Sequence, residues 1–343
     1  MTVDVRVDAA TDDGAGGAPG PVTADGRVRH PADPARSFDA ELVLVSYKSA
    51  HQLRELLAGL PEQLPVVVVD NACDADGVRA VVEARPRGRY VDSGGGKGFA
   101  RAANMGARSS THEFVVFGNP DSRPTVAAFA QILADVADDP SCAASAATMV
   151  GVDGHVELGV GGWEPTVRRA LVHSAGLHKL MPRAGLYAKP RPGEDLTVDW
   201  TTGACMAVRR STFVELGGFD EEFYVYNEDM AFGRAAREHG LHEKLRTDVL
   251  VPHAAGGSGA PSLEMLRLRG AAMSRYLARH HGGPSHRLLT TALAAGYAVR
   301  AAQRTVLRQS DRASQHWAYV KGVTTGRASV AGKVVMERSP RVP

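Results

Sequence analysis

Four short acidic stretches each sit in a turn-forming context: Asp70-Asn71, Asn119-Pro120-Asp121, Asp220-Glu221-Glu222 and Asn227-Glu228-Asp229. A carboxylate so placed can hold a divalent cation, take a proton from a hydroxyl, or accept a hydrogen bond from a ligand N–H. His253 follows an apolar run and precedes a Gly/Ser-rich stretch, so it adds a ring nitrogen of the kind metals use. Each has a plain counterpart: a lone His at a strand end is more often structural, and Glu228-Asp229 could simply be a helix N-terminus favouring acids. The run Ser93-Gly94-Gly95-Gly96-Lys97-Gly98 invites a diphosphate at the helix start that follows it. It lacks the GxxxxGK[ST] spacing, because Gly rather than Ser or Thr follows Lys97.

The elements that must position these residues follow from the pattern. Phe114–Phe117 is a short apolar run stopped by Asn119-Pro120-Asp121, which reads as a buried strand presenting a carboxylate at its carboxyl end. Glu41–Val45 and Pro65–Val69 read the same way and end in Ser46-Tyr47 and Asp70-Asn71. Tyr90-Val91 reads as a further short strand, third in chain order. Between them lie expected helices: one bearing Leu53, Leu56, Leu57 and Leu60 on one face with Ser49 as N-cap, then Asp76–Ala84 and Phe99–Ser110. Strand–helix alternation at this spacing predicts a parallel sheet covered on both faces, and open sheets of that kind bind ligands beyond the carboxyl ends of their strands. Further on, a helix over Thr125–Asp138, a strand over Cys142–Met149, and strands at Val198–Trp200 and Cys205–Val208 are expected. Ser211 is the expected cap of a short helix, Met230–His239 the next helix, and Lys244–Val251 a returning strand. Residues 159–196 carry no clear periodicity and are expected to form an excursion or lid.

Composition bounds the rest. The 343 residues, 44% of them hydrophobic, suffice for one large domain with appendages or for two. Residues 1–37, rich in Gly, Ala, Pro and Asp, are expected to be a disordered leader, and residues 38–260 the folded domain. Cys73, Cys142 and Cys205 lie far apart without CxxC spacing, which argues against a zinc site or a disulfide framework and fits a reducing cytosol. No signal peptide is expected, with Asp4, Arg6 and Asp8 where an apolar core would stand. No apolar run approaches the length of a spanning helix. From Pro261 onward there are 14 Lys+Arg against 3 Asp+Glu, leaving 26 basic against 35 acidic residues before it. This basic end, residues 261–343, is expected to be helical over Met265–Ala278 and Leu288–Leu307, and its charge points to a polyanionic partner: an anionic membrane or nucleic acid.

Taken in order and spacing, LVSYKS (44–49), VVDNA (68–72), KGFARAANMG (97–106), FGNPDS (117–122) and the long run 200–229 ending in NED resemble family 2 glycosyltransferases of the GT-A type, as does His253 with its Gly/Ser run. Within that family the likeness is to bacterial rhamnosyltransferase-like enzymes of cell-envelope glycans. It covers roughly residues 40–260.

The resemblance implies a GT-A-type α/β fold, a nucleotide-sugar donor, Mg²⁺ or Mn²⁺ as cofactor, and inversion at the anomeric carbon. It implies Asp229 as catalytic base, with Glu228 beside it orienting the acceptor and Trp200 also on the acceptor side. Donor contacts would come from Ser46, Tyr47, Asp70, Asn71, Lys97, Gly98, Asn104, Asn119, Asp121, Gly203 and Ala204, and the metal ligands would be Asp121 and His253. Two positions depart from the pattern: Asn119 stands where the metal motif often begins with Asp, and Gly96 where Asn is usual. The donor best matching the likeness is dTDP-L-rhamnose, and the acceptor a polyprenyl-linked or cell-envelope glycan. The enzyme would then work in the cytoplasm at the inner face of the membrane, held by its C-terminal helices, with no nucleic-acid partner; a homodimer stays open. Two rivals remain at this point: a non-catalytic nucleotide-sugar or glycan binder on the same fold, and a sugar-nucleotidyltransferase. The second should carry an Arg-containing phosphate loop near its first strand, which Ser46–Ser49 does not offer.

Overall fold

The computed structural model describes residues 20–157, 159–191, 194–253 and 262–337. In chain order its elements are β1 (Val28–His30), β2 (Asp33–Phe38), β3 (Ala40–Ser46), α1 (Ala50–Ala58), β4 (Val66–Asp70), α2 (Val78–Glu83), β5 (Gly88–Asp92), α3 (Phe99–Ser109), β6 (Phe114–Gly118), α4 (Val126–Asp138) and β7 (Cys142–Gly151). Then come β8 (Gly161–Gly162), α5 (Val167–Ser174), β9 (Asp195–Val198), β10 (Trp200–Thr201), β11 (Cys205–Arg209), α6 (Arg210–Glu215), α7 (Glu228–Glu238) and β12 (His242–His253). The chain continues through α8 (Leu263–His280), α9 (Gly283–Val306), α10 (Ser310–Thr325), β13 (Arg327–Val330) and β14 (Lys333–Glu337).

Eight strands form one sheet in the order β5-β4-β3-β6-β11-β7-β12-β9. The first four run parallel. Of these, β3, β4 and β6 are apolar and buried along nearly their whole length, as inner parallel strands require, whereas β5, GRYVD, is the part-exposed edge. β11 inserts antiparallel between β6 and β7, and β9 closes the far edge antiparallel to β12. The sheet is therefore mixed and mostly parallel, with helices on both faces. One face carries α1 and α4, with Leu53, Phe129 and Ile132 fully buried. The other carries α3, whose Gly106 lies so close to Val43 that a Cβ would collide with it, and an aromatic group formed by Phe117, Phe213, Phe219 and Phe232. Ring centroids there are 5.0 Å apart for Phe117–Phe213 and Phe117–Phe219 and 5.2 Å for Phe213–Phe232. Those rings hold the segment 213–232 against the sheet and so place the start of α7.

Three expectations need correction. The leader is not wholly unstructured: β1 and β2 form an antiparallel hairpin, because Val28 and Phe38 point inward and join the core beside α4. Residues 1–19 lie outside the described residues. Ser49 stands at the N-cap position of α1 without capping it; its hydroxyl meets Ser46 Oγ at 2.8 Å, and Asp76 accepts from the Ala50 N–H instead. Ser211 lies inside α6, whose N-cap is Arg209.

The basic end is more than a helical tail. It adds α10 and the β13–β14 hairpin, and it shares a second hydrophobic cluster with Trp200, Phe223 and Met230 of the main domain. Glycines let α8 and α10 cross closely: a Cβ on Gly270 would strike the Tyr319 carbonyl, and one on Gly322 the Arg267 carbonyl. The docking of α8 converges on Glu164, which accepts from Tyr276 Oη at 2.6 Å, His281 Nε2 at 3.1 Å, Arg234 Nη1 at 3.1 Å and Arg237 Nη2 at 2.6 Å. Glu164→Ala should lower the unfolding midpoint, by a loss of about 3 kcal/mol for removing one member of a largely buried charge cluster. Urea denaturation followed by circular dichroism checks this, and an unchanged midpoint would show that α8 docks without it.

Candidate active site

The turn after β6 packs against the ends of two other strands. Asn119 N–H donates to the Ala204 carbonyl at 3.1 Å, and Arg123 N–H to the Pro252 carbonyl at 2.8 Å. These contacts bring Asp121 to the end of β12, where His253 Nε2 lies 3.0 Å from Asp121 Oδ1. The other ring nitrogen, Nδ1, lies 3.0 Å from both oxygens of Glu157. Burial works against a charged ring, but the bonds to Asp121 and Glu157 outweigh it and push the His253 pKa up to about 10.

This pair fits a divalent cation. Two cis ligands on an octahedral ion with bonds of about 2.1 Å lie roughly 3 Å apart, which is the separation seen. A metal-bound histidine characteristically donates its second nitrogen to a carboxylate, which is the place Glu157 takes. Because Glu157 sits on the opposite ring nitrogen, it cannot share the ion. Among the described residues no group of three acidic, His or Cys side chains forms a closed site. The donor set therefore suits an ion that keeps water and takes phosphate oxygens from a substrate.

Facing the pair across a cavity of about 210 Å³ is the N-terminus of α7. Tyr226 (φ 72°) and Asn227 (φ 68°) both adopt the left-handed conformation directly before the helix. Asn tolerates this and a bulky Tyr does not, so the turn is strained where the acids begin. Glu228 is buried, and its Oε2 has no hydrogen-bond partner among the described residues. Burial, then the charge of Asp229, raises its pKa well above the usual glutamate range. Asp229 is half-buried; burial pushes its pKa up to about 6, against the Met230 N–H that donates to Oδ1 at 2.7 Å and the positive field of Arg269. Behind them Glu243, which accepts from Thr201 Oγ1 at 2.8 Å, is pushed by burial up to about 8.

The cavity also touches Asn119, Trp200, Gly203, Ala204 and His253, all expected site residues. Other expected donor contacts lie apart from it, along the ends of β3 and β4. Ser46 is buried and Tyr47 is 60% exposed, an aromatic face open to a base. Asp70 is fully buried and accepts from Ala72 N–H (2.9 Å), Asp74 N–H (2.6 Å) and Tyr90 Oη (3.1 Å), so most of its acceptor capacity shapes the loop after β4. Asn71 binds the glycine loop, donating to the Gly98 carbonyl at 3.0 Å and accepting from Ser93 Oγ and Lys97 N–H. Lys97 is exposed, while Gly98 (φ 82°) lies against the Tyr224 carbonyl where a side chain would not fit. Asn104 is engaged within the fold. It is fully buried, donates to the Phe219 carbonyl (2.7 Å) and Glu221 (3.1 Å), and accepts from Phe219 N–H (2.9 Å). These bonds fix the approach to α7 and use both of its N–H donors. The Gly256–Gly259 run lies outside the described residues.

Sequence reasoning missed Glu157, Arg269, Met273 and Tyr319 at this cavity. Glu157 sits in an aperiodic stretch with no motif. The other three come from α8 and α10, where amphipathic spacing gives no sign of which face meets a site.

A mostly parallel sheet thus carries an Asp–His pair at one strand end, faced across one cavity by an acid pair at a helix start. The chain belongs to glycosyl transferase family 2, whose model matches residues 41–212. It is 25% identical, over 300 residues, to the N-acetylglucosaminyl-diphospho-decaprenol L-rhamnosyltransferase of Mycobacterium tuberculosis, covering 79% of this chain and 95% of that protein. It is 26% identical over 216 residues to a low-salt glycan biosynthesis hexosyltransferase of Haloferax volcanii, covering 60% of this chain and 63% of that protein. In fold it is similar to a mannosyltransferase from Pyrobaculum calidifontis in complex with GDP-Man and Mn²⁺ (TM-score 0.53, 19% identity, 89% of this chain and 90% of that one). It is also similar in fold to GalNAc-T7 with UDP, GalNAc and Mn²⁺ (TM-score 0.51, 12% identity, 81% of this chain and 54% of that one). It is thus a glycosyltransferase using a nucleotide-sugar donor, which removes both rival readings.

The unpartnered Glu228 has a measurable consequence. A carboxyl whose pKa rises on folding holds its proton more tightly in the folded state, so stability falls as pH climbs beyond the ordinary glutamate range. Glu228→Gln removes that loss. Urea midpoints at pH 5 and pH 8 should differ less for Glu228→Gln than for wild type, with the variant more stable at pH 8 by roughly 1 kcal/mol or more. A variant less stable at pH 8 would mean that the ionised carboxylate is satisfied in the fold.

Proposed function

We propose that this enzyme transfers a sugar, with inversion, from a nucleoside-diphosphate donor to a hydroxyl of a polyprenyl-linked or cell-envelope glycan. The proposed donor is dTDP-L-rhamnose, a choice supported by the name of the mycobacterial relative. The observation that carries the reading is one cavity bordered by Asp229 on one side and His253, bonded to Asp121, on the other.

Asp229 takes the acceptor hydroxyl proton as the new bond forms between that oxygen and the anomeric carbon. The bond from the anomeric carbon to the diphosphate oxygen breaks, and its electron pair leaves with the nucleoside diphosphate. Mg²⁺ or Mn²⁺ held by Asp121 and His253 would stabilise the charge on that leaving group. The α7 N-terminus and the Met230 N–H fix the direction of the Asp229 carboxylate. Glu228, buried beside it, orients the acceptor with Trp200. The other acids of the run are engaged elsewhere: Asp220 and Glu222 with Arg279, and Glu221 with Arg101 and Arg108.

With its pKa near 6, Asp229 is mostly ionised at neutral pH, and kcat should fall as pH drops through about 6. Asp229→Asn should lower kcat by roughly 10²–10⁴ and leave donor affinity intact. Glu228→Gln should cost less, and Asp121→Ala should abolish Mn²⁺-dependent dTDP binding while Asn119→Ala is milder. Steady-state kinetics with calorimetric donor titration checks all four; wild-type turnover by Asp229→Asn with a dead Glu228→Gln would exchange their roles.

The same reading puts the enzyme at an anionic membrane surface near a polyprenyl-linked acceptor. Among the described residues no helix is long and apolar enough to cross a membrane. On α9, however, Leu288, Val299 and Val306 are 56%, 56% and 82% exposed, at a spacing that puts them on one face with Ala295 and Ala302. Exposed Arg287 and Arg308 flank that face, the pattern of an interfacial helix. Flotation with anionic liposomes should recruit the full chain and release it at high salt. Replacing Leu288, Val299 and Val306 together by Ser should abolish recruitment; equal flotation by that variant would rule out α9 as the contact.

A further inference from the structure

The helix α8 carries four arginines, and three of them are engaged. Arg267 donates to the Arg327 carbonyl at 3.2 Å, Arg275 to Glu222 at 2.7 Å and Arg279 to Asp220 at 2.6 Å. The fourth, Arg269, makes no hydrogen bond or ion pair with any described residue, although it lines the catalytic cavity. Its guanidinium lies over the Tyr226 ring, 5.4 Å from the centroid, on the strained turn that leads into Glu228 and Asp229. Across from it the chain has Gly159 (φ 98°), where an added Cβ would stand 3.0 Å from Arg269 Nη2. The wall is therefore cut away around this guanidinium, and Tyr187 and Tyr319 complete an aromatic surround.

The guanidinium is half-removed from water and no described residue accepts from it, so its N–H groups are open to an anion entering the cavity. Stacking on Tyr226 occupies its face and leaves its edge N–H groups for a bidentate partner, the geometry that matches phosphoryl oxygens. Asp229 is too far to pair with it and feels only its field.

We propose that Arg269 is a phosphoryl-binding subsite of the catalytic cavity, by which the C-terminal helices take part in substrate recognition. The phosphoryl group belongs either to the nucleotide donor or to a diphosphate-linked acceptor, and the transfer reading above is needed only to choose between them.

Calorimetric titration of the full chain with inorganic pyrophosphate in metal-free buffer decides the point. Wild type should bind, Arg269→Gln should lose roughly 10-fold or more, and Arg269→Lys, which keeps the charge without the fork, should lose less. Absence of binding in wild type, or equal binding by both variants and wild type, overturns the assignment. The Lys variant keeps the test sound should Gln loosen α8. The source then follows from two further titrations. Weaker binding of dTDP with Mn²⁺ in Arg269→Gln assigns the phosphoryl group to the donor. Arg269-dependent binding of octyl diphosphate to enzyme already saturated with dTDP and Mn²⁺ assigns it to the acceptor. If wild type took up no dTDP, the proposed donor would fail, while the pyrophosphate result would still decide on Arg269.

Discussion

Glu164 is the group on which the geometry of the site depends. Its carboxylate, 19% exposed, receives donors from two helices: Arg234 and Arg237 of α7, and Tyr276 of α8 with His281 just beyond it. Burial alone would raise its pKa, yet His281, Tyr276 and the two arginines hold it below the usual range, so it stays ionised as a hub. The helix that begins with Glu228-Asp229 and the helix that carries Arg269 are thereby fixed to one point. Its own backbone N–H donates to Asp199 at 2.7 Å, which anchors the hub beside β10 and Trp200. The excursion that supplies Glu164 is thus a structural wedge between the sheet and the C-terminal helices.

That anchoring balances a site that is unfavourable in itself. Glu228, Asp229 and Glu243 are three carboxyls close together with raised pKa values, and the turn before them holds a tyrosine in a left-handed conformation. Each such feature costs of order 1–3 kcal/mol and persists only where the surroundings over-determine it. Here the phenylalanine cluster grips one side of the segment 213–232, and Asn104 clamps Phe219 from α3. The long run from Trp200 to Asp229 is therefore recognisable because its apolar and its acidic members serve one turn.

The parallel half of the sheet was legible because its inner strands β3, β4 and β6 are apolar runs that end in turn residues, and hydrophobic burial enforces that pattern directly. The Asp121–His253 meeting was legible only through resemblance, since 132 residues separate them and pairing across β6, β11, β7 and β12 depends on strand order. The structural engagement of Asn104 with Phe219 and Glu221 was not legible, because a buried amide that satisfies a loop backbone and one that grips a ligand look alike in sequence. The hairpin at 28–38 was missed because two inward side chains, Val28 and Phe38, are too few to register as a pattern in a Gly- and Pro-rich stretch.

The charge asymmetry of the sequence also changes meaning once its cations are placed. Counted as a block, the C-terminal region is an undivided basic patch. In the fold, Arg275 and Arg279 neutralise Asp220 and Glu222 at the approach to α7, Arg300 donates to the His173 carbonyl, and Arg269 turns into the cavity. Part of the basic excess therefore answers the acidic excess of the main domain and holds α8 and α9 onto it. The exposed cations that remain are spread over the ends of α9 (Arg287, Arg308), α10 (Arg312, Lys321) and the hairpin (Arg327, Lys333), and those at the ends of α9 lie beside exposed Leu288, Val306 and Leu307. Under the proposed membrane reading, charge draws the ends of α9 to an anionic surface and its apolar face adds insertion, with charge the part that salt screens.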